Sequence, residues 1–159
     1  MSRGAPLLAV LILALCGLPA HARLGETQDD IRKQFGKAGG QPRKESAFWL
    51  IEGADGLLNY TVTFNAEGRS IAEGLKPVRR ARFTEADARS FIESQLLPWE
   101  DSPTLRTLKS GEKYSFAGQD FVCAKNEQVA IDEANGVLVI WTKASNVVVV
   151  SAEMLQRVK

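Results

Sequence analysis

The clearest pattern in the chain lies between positions 58 and 65. Leu58, Tyr60, Val62 and Phe64 alternate with Asn59, Thr61, Thr63 and Asn65. A period of two describes a strand with one face in a core and the other in water. Residues 47–51 read as a strand before it, joined by the turn Gly53-Ala54-Asp55-Gly56. Ala66-Glu67-Gly68 turns the chain again, and residues 69–75 read as a third strand with Ile71 and Leu75 inward. Further on, residues 113–116, 121–125 and 128–132 are strand segments. Glu133-Ala134-Asn135-Gly136 carries the Asn-Gly hairpin signal. Residues 137–143 are almost continuously apolar, which predicts an interior strand. Asn146 opens a last strand through Val150.

A helical period appears in two places. Thr27 can cap free backbone N–H groups, with Asp30 completing a shortened capping box. Ile31 and Phe35 follow on one face, and Gly36 stops the helix. Residues 36–44, rich in Gly, Lys and Arg and containing Pro42, read as a loop. Thr84 and Asp87 form a second shortened box. Ala88, Phe91, Ile92 and Leu96 then share a face, Glu85, Arg89 and Glu93 point away, and Pro98 ends the helix. Residues 98–118 hold Trp99, Leu105, Leu108, Tyr114 and Phe116 without strong periodicity, so most of this stretch reads as a loop. Ser151 caps a short final helix with Met154, Leu155 and Val158 on its apolar side. Helices between groups of hairpin-connected strands predict an α+β fold: an antiparallel β-sheet meander with two main helices packed on it and a short C-terminal helix. The two Thr-capped helices, each next to antiparallel strands, hint at a duplicated unit, although their residues do not align as a repeat.

The N-terminus departs from this pattern. Arg3 precedes an unbroken apolar run from Leu7 to Leu15, too short to span a bilayer but suited to a secretion signal. Pro19 breaks it, and Ala20-His21-Ala22 matches the small-x-small cleavage pattern. The expected organisation is a signal peptide over residues 1–22 and a single α+β domain over residues 23–159, secreted or periplasmic. The alternatives are an uncleaved anchor or lipidation at Cys16. For lipidation, Leu15 stands where a small residue belongs, so Cys16 reads as an apolar signal residue. A membrane role enters only if Cys16 is lipidated.

Cleavage there leaves 137 of the 159 residues, with 19 basic against 19 acidic side chains. That length supports a real core. The charge balance gives no argument for nucleic acid or membrane binding. Cys123 is then the sole cysteine, so no intramolecular disulfide forms. Its apolar setting suits a small buried hydrophobe, the alternatives being an intermolecular disulfide or a reactive thiol. The sole histidine, His21, lies in the signal. Ser-His or Cys-His nucleophile pairs, histidine metal ligands and imidazole acid–base work are thereby excluded from the domain. No catalytic, cofactor-binding or metal-binding constellation is assigned, and no cofactor.

Gly25-x-Thr27-x-x-x-Ile31-x-x-x-Phe35-Gly36 resembles the opening of SmpA/OmlA (BamE-like) domains, in which a capped helix precedes a small antiparallel sheet. β-Lactamase inhibitor proteins share that unit in tandem. Ala38 stands where that family usually has proline. A group of uncharacterised secreted bacterial proteins is similar in order and spacing: Gly25-Glu26-Thr27, Phe64 to Gly68, Trp99, and a closing Leu138, Ile140, Thr142, Lys143 strand. The resemblance implies the fold and secretion, and no chemistry.

Two features stand out as partner contacts. Lys76, Arg79, Arg80 and Arg82 cluster around Pro77 and could hold an acidic partner or anionic lipid heads. The competing reading is a solvated loop balanced by Glu85 and Asp87. Trp49 and Trp141 are expected on a sheet face, where exposed aromatics would mark a partner surface. Core packing is their ordinary alternative. The acidic pairs Asp29/Asp30, Glu100/Asp101 and Asp132/Glu133 read as helix-start or turn residues. Asn59-Tyr60-Thr61 is a glycosylation sequon in a eukaryotic pathway. The leading expectation is a secreted or periplasmic, non-enzymatic domain that binds an unidentified protein or envelope component. The alternatives are a lipid-anchored envelope-assembly factor, or a small carboxylate-dependent hydrolase that brings acids such as Asp120 and Asp132 together.

Overall fold

A computed structural model describes residues 23–96 and 105–157. The signal segment with Cys16, and likewise Pro98, Trp99, Glu100, Asp101 and Val158, lie outside the described residues. The chain is α+β, dominated by antiparallel strands.

Helix α1 (Gln28–Phe35) begins at Thr27, whose hydroxyl accepts from Asp30 N at 3.2 Å while Asp30 accepts from Thr27 N at 3.3 Å. Gly36 stops it at φ +77°, a conformation that glycine reaches without Cβ strain, and its N–H donates to Arg32 O. The strands β1 (Gly40–Arg43), β2 (Ser46–Gly53), β3 (Gly56–Phe64) and β4 (Ser70–Pro77) follow. Helix α2 (Glu85–Leu96) starts with the second reciprocal box, between Thr84 and Asp87. After it come β5 (Leu105–Leu108), β6 (Lys113–Phe116), β7 (Gln119–Val122), β8 (Glu127–Asp132), β9 (Val137–Thr142) and β10 (Asn146–Ser151). Ser151 caps α3 (Ala152–Gln156).

The main sheet has the order β1-β2-β3-β4-β10-β9-β8-β5. Four strands after α1 are laid down in sequence. Four after α2 are laid down in reverse, and the two sets meet at the antiparallel β4–β10 pair. The β6–β7 hairpin is a separate two-stranded piece between β5 and β8. Each capped helix thus precedes four strands of the main sheet, with the β6–β7 hairpin inserted in the second set.

Three expectations need correction. Residues 36–44 contain β1, an edge strand, where proline is tolerated. It closes because Gly39 and Gly40 lie against the Phe48 ring; a Cβ at either would come within 2.8 or 2.7 Å of it. β5, read as loop, is the opposite edge, built by pairing Leu105 with Asp132 and Leu108 with Val129. β7 starts earlier than the 121–125 segment because Ala117 and Gly118, both at positive φ, make the two-residue hairpin turn.

Register places Trp49, Tyr60, Leu75, Val147 and Trp141 in one row across β2, β3, β4, β10 and β9. Ile31, Ala88 and Phe91 belong to the same buried cluster. On the other face, Leu108, Val129, Ile131 and Leu138 form a second cluster with Tyr114, Phe116 and Cys123.

Candidate functional site

The two-residue turn at Ala54 and Asp55 sets Leu50 opposite Asn59 and Glu52 opposite Leu57. Asn59 in turn pairs with Lys76 of β4. Because side chains alternate along a strand, Leu50, Leu57, Asn59 and Lys76 share the face opposite the Trp49–Trp141 row. Leu50 is 52% exposed and Leu57 47%, and few large hydrophobic side chains among the described residues are as open.

The chain leaving β4 folds back along this end of the hairpin. Val78 N donates to Leu57 O at 3.0 Å, and Arg82 N to Asp55 O at 3.3 Å. Between them Arg79 takes a left-handed conformation, φ +54°, uncommon for a side chain with a Cβ. Arg79, Arg80 and Lys76 are exposed and form no ion pair among the described residues. Arg82 reaches Asp55 at 3.9 Å. Glu85 and Asp87 do not balance these cations. Glu85 pairs with Arg89 at 2.6 Å. Asp87 accepts from Thr84 with one oxygen and from Ala54 N, at 2.8 Å, with the other. Four cations therefore stand beside two exposed leucines.

Trp49 and Trp141 do not join this surface. They are 1% and 5% exposed, in the core. The register of the Ala54–Asp55 turn explains Trp49: it faces Tyr60, an inward residue of the alternating strand. Its indole N–H donates to Gly36 O at 3.0 Å, tying β2 to the end of α1. Trp141 shares the row through Val147.

The acidic groups are equally decided by their partners. Asp30 is held below the usual carboxylate range by Thr27, whose hydroxyl and backbone N–H both donate to it. Asp132 is buried and accepts from the Asn135 backbone and side-chain amides, which closes the Asn-Gly turn. Asp120 lies exposed on β7, accepting from the Ser115 hydroxyl. Asp120 thus braces a hairpin and Asp132 a turn. Among the described residues no group of three or more His, Cys, Asp or Glu could hold a metal ion.

One acidic residue escaped the sequence reading. Glu73 of β4 is 1% exposed and accepts from Tyr60 Oη (2.8 Å), Ser70 Oγ (2.9 Å) and Gln95 Nε2 (2.6 Å). Burial pushes its carboxyl up to about 7 against these three donors, which pull it down. The signal was its parity: Glu73 falls between the inward Ile71 and Leu75. No substrate reaches a carboxyl sealed under the core, so it is a packing element.

A cavity of about 230 Å³ is lined by Phe35, Ile51, Leu58, Tyr60 and Phe91, with Asp87 at its edge. Asp87 has both oxygens engaged, and Glu52 lines the cavity as well. No family model, curated protein or solved structure matches this chain.

Proposed function

We propose that the chain is a secreted or periplasmic, non-enzymatic domain that binds another protein or an envelope component. In this reading α1 and α2 lie on the Trp49–Trp141 face of the sheet. The contact surface is the opposite face at the β2–β3 turn: Leu50 and Leu57 with Lys76, Arg79, Arg80 and Arg82. The observation that carries it is the juxtaposition of two half-open leucines with four cations, of which Lys76, Arg79 and Arg80 form no ion pair among the described residues, while Glu85 and Asp87 are engaged elsewhere. Exposed apolar groups rimmed by charge are costly to leave in water and mark interaction sites. The doubled helix-and-four-strand order supports the resemblance to tandem SmpA/OmlA-type units, and the signal-like first 22 residues support export.

The test is site-directed photocrosslinking in the producing cell. A benzophenone side chain at position 57 should give a discrete adduct, to protein or to lipid, and one at exposed Glu133 should not. The adduct should vanish when Arg79 and Arg80 are changed to glutamate. Equal labelling at both positions, or none at 57, would overturn the reading.

A further inference from the structure

We infer that the leucine and arginine surface docks on an anionic lipid bilayer, with the leucines entering the headgroup boundary and the cations lying among the phosphates. This rests on the binding reading above and names the partner class for that same surface.

Three observations point to a bilayer. Leu50 and Leu57 sit diagonally on neighbouring strands, both close to half exposed, so their side chains can leave water without any backbone rearrangement. The cations surround them on one end of the molecule: Lys76 shares their face, and Arg79 and Arg80 follow the segment hydrogen-bonded to Leu57. Glu52 and Asp55 stand against these and Arg82, and Asp55 is turned to Arg82. The local field is therefore positive in a chain whose overall charge is close to zero. Apolar burial at the headgroup boundary and attraction to anionic lipid add together, and each cation near such a surface contributes on its own.

The composition of the patch separates a bilayer from an acidic protein. Protein interfaces centre on aromatic and arginine anchors seated in well-packed pockets. Here Trp49 and Trp141 are in the core, and the neighbouring aromatic on this face, Phe48, is partly buried against Gly39 and Gly40. Exposed leucines and cations at a hairpin end need no shape complement, and a fluid lipid surface offers none.

The test uses the full processed chain and vesicles of phosphatidylcholine alone or mixed with phosphatidylglycerol, followed by flotation. The protein should float with the mixed vesicles, stay behind with phosphatidylcholine alone, and be released by salt. Changing Arg79 and Arg80 together to glutamine should weaken binding about thirty-fold, at one surface-bound cation each. Leu50→Ser with Leu57→Ser should weaken it too, with an unchanged melting temperature because both side chains are exposed. Failure to float with anionic vesicles, equal binding to both compositions, or leucine variants that bind like the parent would overturn the proposal. If vesicle binding fails while position 57 still crosslinks to a protein, the lipid assignment falls and the binding reading stands. If both fail, both fall.

Discussion

The hydroxyl of Tyr60 donates a 2.8 Å hydrogen bond to Glu73 Oε2 in the interior of the molecule. Tyr60 occupies the central row of the sheet, with Phe35, Trp49 and Phe91 rings packed within 5.2 to 6.1 Å of its own. Gln95 of α2 donates to the same carboxylate oxygen and accepts from Leu24 N. Ser70 donates to the other oxygen and accepts from Gly25 N. One buried carboxyl thereby joins the segment before α1, two strands and the end of α2. Satisfied polar networks of this kind fix a single arrangement of a core that apolar packing alone would leave adjustable.

Glu73 makes stability depend on pH in a direction opposite to most carboxylates. Its unfolded carboxyl titrates near 4.5 and the folded one near 7. Below the unfolded value both states carry the proton. Between the two values the folded state keeps a proton that the unfolded state has lost, so raising the pH through this window destabilises the fold. The full cost above the folded value is about 3 kcal/mol. Glu26, raised by partial burial, acts with the same sign. Thermal melts between about pH 5 and pH 8 should show the melting temperature falling with rising pH, and Glu73→Gln should flatten that slope. A slope unchanged in Glu73→Gln would assign the effect to other groups.

Trp141→Ala should unfold the domain readily rather than remove a binding contact. The ring is buried in the row with Val147, Leu75 and Tyr60, so its deletion leaves a cavity. The expected loss is about 3–5 kcal/mol, typical of a large aromatic removed from a core. Urea denaturation measures it. A loss below about 1 kcal/mol, the range of surface changes, would show that the ring is not packed.

How much of this was legible in the sequence follows the range of the interactions involved. Thr27 with Asp30, Thr84 with Asp87, and Ser151 mark their helix starts because a cap is closed by residues three apart. The strands β2, β3, β8, β9 and β10 are readable because alternation and tight turns are local as well. β1 (Gly-Gln-Pro-Arg) and β5 (Leu-Arg-Thr-Leu) are not, since such short edge strands exist only by pairing with partners supplied by the rest of the sheet. The site divides the same way. The Lys76–Arg82 cluster is contiguous in sequence and could be named. Leu50 and Leu57 acquire meaning only once register puts them opposite Trp49 and Leu58 in facing. The burial of both tryptophans was available in part, because the Ala54–Asp55 turn already pairs Trp49 with Tyr60.

Cys123 should be silent as a thiol in the native state. It is 1% exposed within the cluster that joins the β6–β7 hairpin to β8 and β9. Burial, then the carboxylates Glu127 and Glu112, push its ionisation up, so little nucleophilic thiolate forms. An aromatic disulfide reagent should react with it only in denaturant, and oxidised samples should run as monomers on non-reducing gels. Stoichiometric labelling of the native protein, or a disulfide-linked dimer, would show that the hairpin opens.

Asp87 supports two elements at once. One oxygen completes the capping box of α2, and the other accepts from Ala54 N in the β2–β3 turn. The side chain lies so close to Gly53 that a Cβ there would come within 2.9 Å of Asp87 Oδ1. Asp87→Ala removes the cap interaction, about 1 kcal/mol, and orphans a turn amide, another 1–3 kcal/mol. Asp30→Ala, at the equivalent place in α1, loses only the cap, because its other contact is an exposed pair with Lys33. Chemical denaturation of the two variants should therefore show a clearly larger loss for Asp87→Ala. Equal losses would mean that the bond to Ala54 contributes nothing, and that the leucine-bearing turn is positioned by its strands alone.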